Sequence, residues 1–168
     1  MKRILPWIGA ATVAVAAGVL VTSNLAQAAD APQSLVEDFV HPNSEGILEQ
    51  YGLKLFKGDG HIMFASRKQI DTDGQCATTE IQVEEMVEVE PYSYLYCFKT
   101  IGTSGFLTME VPSTFGVRAG DVPVVATAET PEGTKTYDVP ANRPVPIYPG
   151  TGDEKPQAVL VELRLNGS

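Results

Sequence analysis

The sequence predicts a mainly β protein: a single antiparallel β-sandwich or open barrel with one short N-terminal helix and one disulfide. Three observations predict it. Roughly eight or nine short apolar or alternating runs follow one another between Gly, Pro and Asp clusters, the spacing of an all-β domain. Only residues 44–52 carry apolar side chains at helical spacing, and no period repeats along the chain, which excludes a solenoid or propeller. The chain's 2 cysteines, Cys76 and Cys97, bracket the strongest hairpin signal.

The first residues read as a leader rather than as fold. Met1-Lys2-Arg3 is basic, Ile4 to Val21 is apolar or small, and Ala26-Gln27-Ala28 offers small residues to a tight peptidase pocket. Cleavage is expected after Ala28. The apolar run is also long enough for an uncleaved anchor, since about 18 apolar residues span a bilayer. The Ala-rich run and the Ala-Gln-Ala site favour cleavage. Residues 29–34 are then a flexible mature terminus, and residues 35–168 form a single β-rich domain. Removing the leader takes away Lys2 and Arg3 and no acid, so the formal charge falls from −9 to −11. Phosphate contacts need clustered Lys and Arg, so this charge argues against nucleic-acid and anionic-membrane partners. It suits solubility outside the cell.

Two cysteines in an exported chain are expected to pair with each other. Neither His41 nor His61 stands in a ligand pattern with them, so a metal pair is not expected.

The elements follow in order. Leu35 to Val40 reads as an edge strand, ended at His41-Pro42. Ser44 to Gly52 reads as the helix, with Asn43 or Ser44 as its cap and Gly52 closing it in the left-handed region. Ile47, Leu48 and Tyr51 would pin it to the core. Leu53 to Lys57 and His61 to Ala65, joined by Gly58-Asp59-Gly60, read as a hairpin. Ser66 to Gln75 reads as a polar loop. From Glu80 to Glu90, Ile81, Val83, Val87 and Val89 fall on one strand face. Glu80, Gln82, Glu84, Met86, Glu88 and Glu90 fall on the other, and Glu85 breaks the pattern as at a bulge. After Pro91 the next strand puts Tyr92, Tyr94, Tyr96 and Phe98 on one face. Phe106 to Val111, Phe115 to Val117, Val122 to Thr130 and Lys135 to Val139 continue the series. Residues 140–156 are rich in Pro and Gly and allow only short edge pieces. Val159, Val161, Leu163 and Leu165 share a face of the last strand.

Few residues point to catalysis. His41 and His61 are the only histidines. Asp59 and His61 are close enough in sequence to pair, but no serine stands in a nucleophile elbow. Asp71-Thr72-Asp73-Gly74 opens like a calcium loop, yet the twelfth position is Gln82 where a bidentate Glu is needed. No catalytic residue, metal or cofactor is therefore expected. Two surfaces remain as binding candidates. Glu84, Glu88 and Glu90 form an acidic ladder that either guards a strand edge or docks a basic partner. Tyr92, Tyr94 and Tyr96 form an aromatic stripe that is either core or a contact surface for protein or sugar.

The leader and the stretches GLKLFKGDGHIMFA and GFLTMEVPSTFGVRAGD resemble a group of small secreted β-rich actinobacterial proteins. That resemblance implies export and a β-rich body with a lone cysteine pair, and no activity. The expected function is a secreted, non-catalytic β-sandwich that binds an extracellular protein or a cell-wall glycan. The alternative is a small secreted hydrolase or an enzyme inhibitor acting through a loop.

Overall fold

Among the described residues, eleven short strands and two short helices are built where the turn residues allow them. The computed structural model describes residues 39–150 and 156–167. The leader, its cleavage site, the expected mature terminus and the first part of the 35–40 strand lie outside the described residues. Strand β1 (Phe39–Val40) leads into helix α1 (Ser44–Tyr51), then β2 (Lys54–Gly58), β3 (Ile62–Gln69) and helix α2 (Ile70–Asp73). Next come β4 (Ile81–Met86), β5 (Ser93–Thr100), β6 (Ser104–Val111), β7 (Thr114–Arg118) and β8 (Val124–Thr130). The chain closes with β9 (Gly133–Val139), β10 (Pro144–Pro146) and β11 (Val159–Asn166).

The strands form two antiparallel sheets. One runs β1-β2-β6-β11-β8-β9, the other β10-β7-β4-β5-β3. The core lies between them: Ile62, Ile81, Val83, Phe98 and Val117 from the second sheet meet Leu107, Met109, Leu160 and Leu163 from the first. Among the described residues no helix is long and apolar enough to cross a membrane.

Helix α1 ends as its sequence dictates. Gly52 takes φ 71°, and its N–H donates to the Leu48 carbonyl. Its start differs from expectation: Asn43 is the N-cap but makes no side-chain capping bond. Ile47 is buried and Tyr51 packs on the core, whereas Leu48 is exposed.

The predicted hairpin across Gly58-Asp59-Gly60 is corrected. β2 pairs with β1 and β6, and β3 pairs with β5, so this turn carries the chain from one sheet to the other. The cause is long-range. The Asp59 carboxylate accepts the Phe106 N–H at 3.2 Å, which holds the turn against β6. Gly58 fits there because a Cβ would stand 2.9 Å from the Phe106 carbonyl oxygen. The polar loop expected after Ala65 is corrected too: β3 runs on to Gln69 through a bulge between Phe64 and Ser66, and α2 follows.

In β11 the expected face is out of phase. A bulge between Leu160 and Glu162 turns Leu160, Leu163 and Leu165 inward and leaves Val159 and Val161 half-buried. β10 is the edge piece expected within the Pro-rich segment.

Cys76 and Cys97 form the disulfide, with Cα atoms 5.5 Å apart. It straps residues 74–80 across the outer face of β5. Cys76, Leu95 and Cys97 make a second small core there, with Ile70 packed against it. The strap has other fastenings. Arg118 donates to the carbonyls of Cys76, Ala77 and Thr78, Lys68 donates to that of Gln75, and the Cys76 N–H donates to Gln82 Oε1. β5 is therefore covered on both faces.

Candidate functional site

The hairpin of β4 and β5 carries every binding candidate the sequence offers, and the structure separates them. β4 ends at Met86 rather than at Glu90. Val89 to Tyr92 then form a tight turn around a cis Glu90–Pro91 peptide, closed by the Tyr92 N–H on the Val89 carbonyl at 2.8 Å. The Val87 N–H donates to the Tyr92 carbonyl at 2.9 Å. Two expectations fail for this reason. Val89 is not on a core face but 70% exposed, and Tyr92 leaves the strand, at φ 64° and 61% exposed.

The remaining tyrosines turn inward. Tyr96 is only 3% exposed and lies with Phe98 in the main core. Tyr94 is half-buried under the Arg67 guanidinium, which sits 4.2 Å from its ring centroid. Tyr94 and Tyr96 therefore join an internal network, and only Tyr92 offers a surface ring.

That network is the best-built polar feature of the fold. The Tyr96 hydroxyl donates to Glu85 Oε2 at 2.6 Å. Arg67 donates to the Tyr51 carbonyl at 3.1 Å. Burial raises the Glu85 carboxyl above its ordinary range, and the Tyr96 bond and Arg67 charge only partly offset it. Burial and the bond to Glu85 push the Tyr96 hydroxyl well up. Glu85 breaks the alternation as expected, at a register shift against β7, and its inward carboxylate is satisfied by Tyr96. The sequence did not single out Arg67. Its meeting with Tyr94 needs the β3–β5 register, which places Arg67 opposite Tyr96.

The acidic ladder is not continuous. Glu84 lies on β4 and accepts the Ser93 hydroxyl at 3.0 Å. Glu88 and Glu90 lie exposed in the turn, beyond the end of the strand.

Asp59 and His61 do meet. His61 Nδ1 stands 3.3 Å from Asp59 Oδ1, off the line a hydrogen bond requires. Asp59 is spent on the backbone: it accepts the His61 N–H at 3.1 Å as well as that of Phe106. Among the described residues no hydroxyl bonds the His61 ring, so this pair closes a turn. His41 is buried, with Nδ1 on the Pro42 carbonyl at 2.8 Å and Nε2 accepting the Phe64 N–H at 3.1 Å.

The calcium-loop residues form α2, where Asp73 accepts the Gln69 N–H and Gln82 is bonded to Cys76. Cys76, Glu80 and Cys97 cluster closely enough to hold an ion, but both sulfurs are in the disulfide and provide no thiolate. A scan of protein-family models matches none to this chain, and a search of the curated proteins finds no relative.

Proposed function

We propose that this chain is an exported, non-catalytic β-sandwich that binds an extracellular protein or cell-wall partner through the turn joining β4 and β5. One observation carries the reading. Tyr92 and Val89 stand on a tight turn with their apolar surface in solvent, while Tyr96 lies in the core and Tyr94 is half-buried under Arg67. A tyrosine at a projecting turn offers area and a hydroxyl at small entropy cost. Glu88 and Glu90 flank it and favour a partner with basic groups. Export is supported by the leader pattern and by the disulfide, which persists in oxidising compartments. The resemblance to small secreted actinobacterial proteins belongs to the same reading.

The test is capture of a partner from the producing cell's secretome and wall fractions, compared with capture by Tyr92→Asn and Val89→Ser variants. Asn tolerates positive φ, so the turn is kept. A central tyrosine contact is worth at least about 2 kcal/mol, near thirtyfold in affinity. Capture that survives both substitutions at wild-type strength refutes the turn as the site.

A further inference from the structure

The outer face of the five-stranded sheet is covered by the strap on one side only. Beside it, over β7, lies a hollow of about 170 Å³. Its floor includes Gly116, which has no side chain to fill it, and Gln82 and Glu84 of β4 line it too. Phe115, Val145 and the exposed Pro144 and Pro146 supply the apolar lining. Small-molecule sites run to about 300–1,000 Å³, so this hollow takes one side chain rather than a cofactor.

Two charged groups border it. Arg118 is committed to the three strap carbonyls, and its Nε is closed off from solvent, so an incoming anion does not reach that atom. Glu84 is only half committed. Oε1 accepts the Ser93 hydroxyl, and Oε2 has no partner among the described residues. Arg118 keeps its charge but turns its guanidinium to the strap carbonyls, so the open charged hydrogen-bonding position of the hollow is the Glu84 carboxylate, inside an apolar lining. The bordering edge strand decides the mode of recognition. Two of the three residues of β10 are prolines without an N–H, so a partner strand cannot simply extend the sheet there. Recognition has to go through side chains.

We propose that the hollow receives one lysine or arginine side chain of a basic partner segment, its stem against Phe115 and Pro146 and its cation on Glu84 Oε2. This rests on the partner-binding reading above and adds the partner's chemistry. The chain's net charge of −9 draws such a segment in. Stem and head are matched separately, as long cationic side chains require.

The test uses the 15N-labelled protein and four probes: the Nα-acetyl amides of arginine, lysine, norleucine and glutamate. The cationic probes are expected to give saturable amide shifts centred on Gly116, Glu84 and Val145, with weak affinity. Glu84→Gln, which keeps shape and the Ser93 bond, is expected to weaken them about two- to fivefold, the effect of losing an ion pair at an open surface. Gly116→Val fills the floor, leaves Glu84 in place, and is expected to abolish the shifts. Equal binding of norleucine, binding of glutamate, unchanged binding in Glu84→Gln, or shifts spread evenly over the exposed carboxylates each overturn the proposal. Failure here with capture still dependent on Tyr92 removes the hollow and leaves the turn. A seated arginine with capture indifferent to Tyr92 does the reverse.

Discussion

His41 joins the two sheets through one hydrogen bond that only an uncharged ring can make, and this sets a measurable pH dependence. Its ring lies past β1 and reaches across to β3, where Nε2 accepts the Phe64 N–H while Nδ1 donates to Pro42. A protonated ring has no lone pair left for Phe64. Burial holds the His41 pKa below its ordinary 6.5, the Pro42 bond opposes that weakly, and no charged side chain contributes. His41→Phe keeps a ring of similar size and removes the acceptor. An enclosed N–H left without a partner costs about 1–3 kcal/mol, and the part-buried setting of Phe64 places the expected loss near the lower half of that range.

The linkage has a definite sign. The folded pKa lies below the unfolded one, so the unfolded chain takes up the proton first as the solution is acidified. Wild-type stability from this residue is complete above 6.5 and is lost as pH falls from there through the folded value. The variant has no such titration. Urea melts of both proteins at about pH 8 and about pH 5 should therefore show a gap that narrows on acidification. A gap that stays constant across that range refutes the account, because His41 would then not be held uncharged by the fold.

Two other predictions concern the β4–β5 unit. The disulfide closes a span of 21 residues, so replacing both cysteines with serine should lower stability by about 3 kcal/mol in denaturant melts. The far-UV circular dichroism should stay native, because Arg118 still holds the strap, and a loss under about 1 kcal/mol contradicts the loop-closure argument. Tyr96→Phe should cost about 1.5–2 kcal/mol at neutral pH, the effect of removing a bond to a part-buried carboxylate. Glu85 titrates above its ordinary 4.5 in the fold, so it contributes stability in acid that is lost as pH rises through its raised value. The substitution raises that pKa further. Its cost should therefore be smaller near pH 4 than near pH 7, and an equal cost at both refutes a charged Glu85 as the partner.

Local chemistry made much of this fold legible in the sequence. Gly52 closes α1, the prolines confine β10 to an edge, and the cysteines bracket a hairpin, because each depends on a few neighbouring residues. Sheet membership was not legible in the same way. The Gly58-Asp59-Gly60 turn has hairpin chemistry, yet Asp59 is claimed by Phe106, 47 residues away, and the turn changes sheets. Strict alternation misplaced residues wherever a bulge or turn resets the phase. Leu160 and Leu163 both point inward across the β11 bulge, and Val89 and Tyr92 leave their expected faces at the turn. Among the binding candidates, the acidic residues Glu84, Glu88 and Glu90 were legible as a polar face, but nothing in the sequence set Tyr92 apart from Tyr94 and Tyr96, because its exposure depends on the turn around Pro91. Phe115 and Gly116 stood out only as a short apolar piece, since a hollow appears only once β7, β4 and β10 are set side by side.

The two proposed contacts differ in how firmly they are held, and this follows from the strap. By covering β5 on its outer face, residues 74–80 leave the β7–β10 side of that sheet as its uncovered ground. β4 lies between β7 and β5, hydrogen-bonded on both sides, so Glu84 is carried by a strand that cannot shift without breaking the sheet. Rigid elements hold recognition groups more precisely than loops do. Tyr92 sits a few residues further on, in a turn held by two backbone bonds. A partner segment that spans both would meet a fixed carboxylate first and a more adaptable ring second. Charge at Glu84 then bears mainly on encounter and register, and Tyr92 mainly on how long the complex lasts. Substitution at Glu84 should accordingly make binding less salt-dependent and slower to form, while substitution at Tyr92 should speed dissociation and leave the salt dependence unchanged.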